Sequence, residues 1–144
     1  LVSFIRAMHE ISQPLAVPIV AGLGKLKFNH VLDLAWVSAI VHQNSWAQNR
    51  KLFEKVFAAL EPGGLILIRD IVMDATRTRP ETGAMFAVNM LVNTSGGGTF
   101  TVNELRDDLS AAGFSKARLM LRGEAMDSVV CAKKPLGRRR GKGA

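Results

Sequence analysis

The chain, 144 residues long, contains a single cysteine, Cys131. It cannot form an internal disulfide, and within the apolar run "SVVCA" it reads as a small buried hydrophobe rather than a nucleophile. Long hydrophobic runs are missing too: no stretch approaches the length of a membrane span. The opening "LVSFIRAMHE" lacks the basic segment, apolar run and small-residue cleavage site of a secretory signal. A cytoplasmic location, away from membranes, is therefore expected, and the leucine at position 1 points to a fragment or a processed product. No internal repeat is visible and no metal-ligand set is expected. What is present is 48% hydrophobic content on a chain of one-domain length, enough to build a core.

The formal net charge of +7 suggests nucleic acid until it is located along the chain. Lys133, Lys134, Arg138, Arg139, Arg140 and Lys142 all fall in the closing "KKPLGRRRGKGA", which leaves the remainder close to neutral. With Pro135, several glycines and no aromatic, that end reads as a disordered basic tail. It could touch phosphate nonspecifically, and a solvated terminus is the blander reading; no specific nucleic-acid partner is expected. The domain is drawn over 1–134, with 1–28 as a helical lead-in and 135–144 as the tail.

Between these ends the hydrophobic period alternates. In "SWAQNRKLFEKVFAALEPGG", Ser45 with Gln48 forms a capping box, Leu52, Phe53, Val56, Phe57 and Leu60 share one helical face, and "EPGG" stops the helix. The run "LILIRDIVM", residues 65–73, is the pattern of a strand covered on both faces, with Arg69 and Asp70 as its polar exceptions. "ETGAMFAVNMLVN", residues 81–93, reads as a second helix ended by "TSGGG". Thr101 with Glu104 caps a third, whose Leu105 and Leu109 face the core and which stops at Gly113. "KARLML" and "DSVVCAK" close the chain as an antiparallel strand pair. This order argues an α/β fold with a mostly parallel sheet.

One element is missing from that pattern. "NHVLDL" begins like the first strand of a nucleotide-binding domain, yet no glycine-rich turn follows; the chain runs on into "AWVSAIVHQN". Gly22 and Gly24 precede this strand and read as a helix stop, while Gly96, Gly97 and Gly98 form a loop between helices and no phosphate cradle. Residues 30–41 are expected to form one extended strand beside 65–72. His42 would then lie at the C-terminal end of an apolar strand, the sheet edge where open α/β folds place ligands. An imidazole there could take a proton from a hydroxyl, and Asp70 at the end of the neighbouring strand could fix its tautomer. On periodicity alone the blander reading stands, a solvent-facing histidine and an Asp70–Arg69 surface pair.

From "DLAWVSAIVHQNS" through "LFEKVFAALEPGGLILIRDIVMD" to "FAVNMLVNTSGGGTFTVNELRDDLSAAGF", the chain resembles the C-terminal half of the S-adenosylmethionine-dependent O-methyltransferases, in particular the bacterial hydroxyneurosporene and polyketide type. "FIRAMHEISQPLA" and "HVLDL" are similar to the helix and first strand of that family's cofactor domain. The resemblance implies a Rossmann-like methyltransferase sheet, reduced in strand number, with S-adenosylmethionine as cofactor and a small-molecule hydroxyl acceptor as partner. It implies catalytic roles for His42 and Asp70, cofactor contacts at Asp33 and Ser38, and acceptor contacts at Phe4, Met8, Phe86, Asn89 and Met90; for each of the last five, an ordinary core residue at helical spacing is the competing reading. Plant members carry a second carboxylate where Thr99 stands and a lysine where Ser38 stands.

The join at Asp33-Leu34 reads as the scar of an internal deletion that removed the glycine loop, the ribose-binding acid and the strands between. Cofactor affinity should fall accordingly. A noncatalytic remnant serving as an interaction module is the competing reading. A third is a homodimer in which another chain supplies the missing half, against which counts the missing N-terminal dimerisation region of the family.

Overall fold

The computed structural model describes residues 34–136. The expected lead-in over 1–28, Phe4, Met8 and Asp33, and all of the expected tail beyond residue 136 lie outside the described residues. Strand β1 (Leu34–Ser38) runs parallel to β2 (Leu65–Asp70), with Leu34 opposite Leu65 and Ser38 opposite Arg69. The expected extension of this strand to residue 41 does not occur. Ala39 turns into the left-handed region at φ 51°, and Val41–Gln43 wind into a single 3₁₀ turn. His42 therefore sits on a turn beyond the strand, not at its end.

Helix α1 (Trp46–Ala59) makes the crossover between the two parallel strands. Its start is the capping box anticipated from the sequence: the Ser45 amide donates to Gln48 Oε1 at 2.7 Å, and the Gln48 amide to Ser45 Oγ at 3.4 Å. Leu52, Phe53, Val56, Phe57 and Leu60 join one core with Val37, Ile66, Ile68 and Val130 of the sheet. At the other end, Lys134 donates through Nζ to the carbonyls of Phe57 at 2.6 Å and Leu60 at 2.7 Å, placing a cation on the helix's negative end. Lys133 and Lys134 thus belong to the fold, the first at the end of a strand and the second as a cap.

The apolar run 65–73, expected as one strand, breaks at Ile71. The Asp70 carboxylate accepts the Ile71 amide at 2.8 Å, so that amide leaves the ladder. Beyond the break, β3 (Val72–Met73) pairs in parallel with β4 (Phe100–Thr101) in a small separate sheet. Helix α2 (Glu81–Asn93) lies over β3 and has the expected bounds. It approaches closely because Gly83 has no side chain; an added Cβ there would overlap Met73 and Ile71. Helix α3 (Val102–Ala111) is capped by Thr101 and Glu104 as anticipated. It ends on Gly113 at φ 100°, with the Phe114 amide reaching back to the Leu109 carbonyl at 2.9 Å.

The last two strands, β5 (Ser115–Leu121) and β6 (Ser128–Lys133), form the expected antiparallel pair. β6 also pairs antiparallel with β2, giving the order β1-β2-β6-β5. Among the described residues, β1–β2 is the parallel pairing of the four-stranded sheet and β2–β6 and β6–β5 are antiparallel, while β3–β4 pair in parallel in the separate two-stranded sheet. The fold is α/β, a Rossmann-like arrangement reduced in strand number. No helix among the described residues is long and apolar enough to cross a membrane.

Candidate active site

Two consecutive residues of β2 face opposite sides of the sheet, and that alternation decides the local chemistry. Asp70 turns toward the 3₁₀ turn. Its Oδ1 lies 2.8 Å from His42 Nδ1, and its Oδ2 accepts the His42 backbone amide at 3.2 Å. Together with the Ile71 amide, three donors converge on one carboxylate that is 2% exposed. A carboxylate accepts only, so in the neutral imidazole the proton lies on Nδ1, toward Asp70, and Nε2 carries the lone pair. This assignment follows from the hydrogen-bond network. The imidazole and the Phe86 ring pack in a T-shaped pair, with centroids 5.0 Å apart at 80°.

His42 is 4% exposed and Arg69 3%, so neither a solvent-facing histidine nor an Asp70–Arg69 surface pair is what the chain forms. Arg69 Nη1 donates to Ser38 Oγ at 3.2 Å across the ends of β2 and β1, while its Nε is buried with no partner among the described residues. Burial pushes this guanidinium below the usual arginine range, and the negative charges of Asp127 and Asp70 partly restore it.

The other expected site residues divide. Phe86 packs on His42 and Met90 is buried one helical turn further along α2. Asn89, on the same helix, is exposed and accepts a hydrogen bond from Asn93 Nδ2. Thr99 is buried, and its carbonyl accepts Arg77 Nη1 at 3.1 Å, so His42 has Asp70 as its carboxylate partner among the described residues.

Residues that were not among the expected site residues also meet the histidine turn. The Gly98 amide donates to the His42 carbonyl at 2.9 Å, and the Gly97 amide to Thr94 Oγ1 at 2.8 Å. A Cβ on Gly97 would overlap the His42 carbonyl oxygen, so the glycine loop closes directly on the histidine turn. Asn49, on α1, donates to the Val41 carbonyl at 3.0 Å from a fully buried position. Its signal was present in the sequence: it falls one turn before Leu52 and Phe53, on the face where the helical period calls for an apolar residue.

For S-adenosylmethionine the fit is one-sided. Ser38 Oγ and the buried Arg69 guanidinium are donors at the carboxyl ends of the parallel strands, suited to a carboxylate. β1 runs unbroken from Leu34 to Ser38 without a glycine turn, and Asp70, the acid at the end of β2, is taken up by His42 and Ile71. The described residues suit the cofactor's amino-acid end and not its nucleoside end.

A family pattern described as an O-methyltransferase domain matches residues 27–115. The chain is 36% identical over 86 residues to the 3-hydroxy-5-methyl-1-naphthoate 3-O-methyltransferase of Streptomyces sahachiroi, covering 60% of this chain and 25% of that one. It is 32% identical over 98 residues to the acetylserotonin O-methyltransferase of Gallus gallus, covering 68% and 28%. The crystal structure of human N-acetylserotonin methyltransferase in complex with SAM matches with a TM-score of 0.67 at 27% identity, over 72% of this chain and 29% of that one. The chain spans well under two thirds of the length of each of these relatives.

Proposed function

We propose, because the chain belongs to the O-methyltransferase domain family, that it carries the acceptor-activating part of a methyl transfer from S-adenosylmethionine to the hydroxyl of a small aromatic, polyketide or carotenoid-like acceptor. The observation that supports this reading is the 2.8 Å contact between His42 Nδ1 and Asp70, which directs the Nε2 lone pair to act as base. An acceptor hydroxyl hydrogen-bonded to Nε2 gives up its proton there as its oxygen becomes nucleophilic, and Asp70 balances the imidazolium that forms. Phe86, perpendicular to the imidazole, offers an apolar surface to a flat acceptor, and Met90 supplies an adaptable neighbour. The naphthoate named for the Streptomyces relative is an acceptor of this kind.

The cofactor half of the site is impaired. A sequence that passes from "VLDL" directly into β1 offers no backbone turn for close approach to a nucleoside, and Asp70, the acid at the end of β2, is committed to His42 and Ile71. Alignment of donor and acceptor contributes about 7–11 kcal/mol to such reactions, so a correctly placed base without a bound donor gives no turnover.

Titration of the chain with S-adenosylmethionine by calorimetry should show no binding at ordinary protein concentrations. Inserting a family-type segment at Asp33-Leu34 should restore binding and turnover. In that background His42→Ala should lower kcat by about 10²–10⁴-fold, as for a lost general base, with cofactor affinity little changed. Micromolar binding by the unaltered chain would overturn the impairment; an active restored enzyme indifferent to His42→Ala would remove His42 from the mechanism.

A further inference from the structure

The turn that bears His42 has little to hold it from within. It is a single 3₁₀ turn, whose hydrogen bonds are poorly aligned as a class, and it follows Ala39 in a backbone region that non-glycine residues rarely adopt. Asn49 stands beside it at 1% exposure, on the face of α1 that otherwise packs Phe53 and Leu52 into the core. Its Nδ2 donates to the Val41 carbonyl at 3.0 Å, and Asn44 Nδ2 donates to its Oδ1 at 3.0 Å, which fixes the orientation of the amide. On the other side of the same turn, Gly98 holds the His42 carbonyl. A polar residue at a core-facing position weakens the core unless its bonds do something that packing cannot, and such breaks in the pattern concentrate at functional sites.

We propose that Asn49 is a positioning residue for His42: its buried amide ties the Val41 carbonyl to α1 and, against the Gly97–Gly98 loop, sets where the imidazole presents Nε2. This rests on the reading of His42 as the base. Asn49 itself touches neither acceptor nor cofactor. Its effect passes through one backbone carbonyl to the neighbouring residue.

Amide hydrogen exchange and proton NMR of the chain as it stands test the proposal. Asn49→Leu keeps side-chain volume and removes the donor. Exchange at the His42 amide, which bonds Asp70, and at the Gly98 amide, which bonds the His42 carbonyl, should then speed up about 5- to 10-fold, the factor corresponding to one hydrogen bond's net contribution. Amides in the β2–β6 ladder, such as Ile68 and Val130, should keep their wild-type rates, and the downfield Nδ1–H resonance of His42 should broaden or vanish. If Asn49→Leu does not fold, Asn44→Ala, which only frees the Asn49 amide to rotate, should give the same selective pattern in weaker form. A rise shared equally with the β2–β6 amides would mean that Asn49 only stabilises the fold, and unchanged His42 and Gly98 signals would mean that it holds nothing; either overturns the proposal. None of these measurements involves methyl transfer. A chain that never methylates would sink the proposed reaction and leave the clamp intact.

Discussion

Asp70 gathers the His42 side chain, the His42 amide and the Ile71 amide onto one buried carboxylate, so removing it leaves donors without partners. Each such donor costs about 1–3 kcal/mol when buried and unsatisfied. Asp70→Ala should therefore destabilise the chain by about 3 kcal/mol or more, read as a lowered urea midpoint, whereas a role confined to chemistry would leave that midpoint in place. Cys131 is the opposite kind of residue. Burial pushes its thiol above the usual cysteine range, and the alternation of β6 packs it with Leu67 and Val129. It should resist thiol-specific reagents at neutral pH until denaturant unfolds the chain, and rapid labelling of native protein would contradict this. The sequence made the Cys131 environment legible because a buried hydrophobe advertises itself through its neighbours. Arg69 shows the limit of that logic: one residue from Asp70 in sequence, it faces the other side of the sheet and bonds Ser38, a pairing that depends on strand register and not on adjacency.

Helices were the most legible elements, since each carries its own start and stop. The Ser45–Gln48 and Thr101–Glu104 boxes and the Gly113 stop are local signals with local causes. Gly113 also touches a neighbour: a Cβ there would lie 2.9 Å from the Phe57 ring, at a φ that L residues disfavour. Gly113→Ala should cost more than about 1 kcal/mol, strain and contact adding together, and a thermal midpoint equal to wild type would show that the stop can shift. The strands were less legible. "LILIRDIVM" looks continuous because apolar runs record burial and carry no information on whether a side chain will take its own neighbour's amide, as Asp70 does with Ile71. "AWVSAIVH" likewise reads as strand throughout, while the left-handed Ala39 ends β1 early and turns the histidine onto its own 3₁₀ segment. That segment draws its support from Asn49 on the following helix and from the glycine loop much further along the chain, which is why the histidine could be singled out from the sequence and the loop that closes on it could not.

For the whole molecule, the closing basic run is partly built into the fold, since the Lys134 ammonium is committed to the α1 carbonyls. The three consecutive arginines beyond it lie in "GRRRGKGA". Removing residues 137–144 should leave the thermal midpoint unchanged and abolish weak, salt-sensitive binding to DNA or RNA. Sequence-selective binding that persists at physiological salt would instead favour an interaction module. The architecture has a temporal consequence as well. β6, the last of the described strands in chain order, is an interior strand, flanked by β2 and β5 and buried along nearly its whole length. A ribosome delivers β2 more than fifty residues before the strand that satisfies its free edge. During synthesis β1 and β2 must wait with that edge unpaired, and any message cut short before Ser128 would release a chain carrying a permanent template for aggregation.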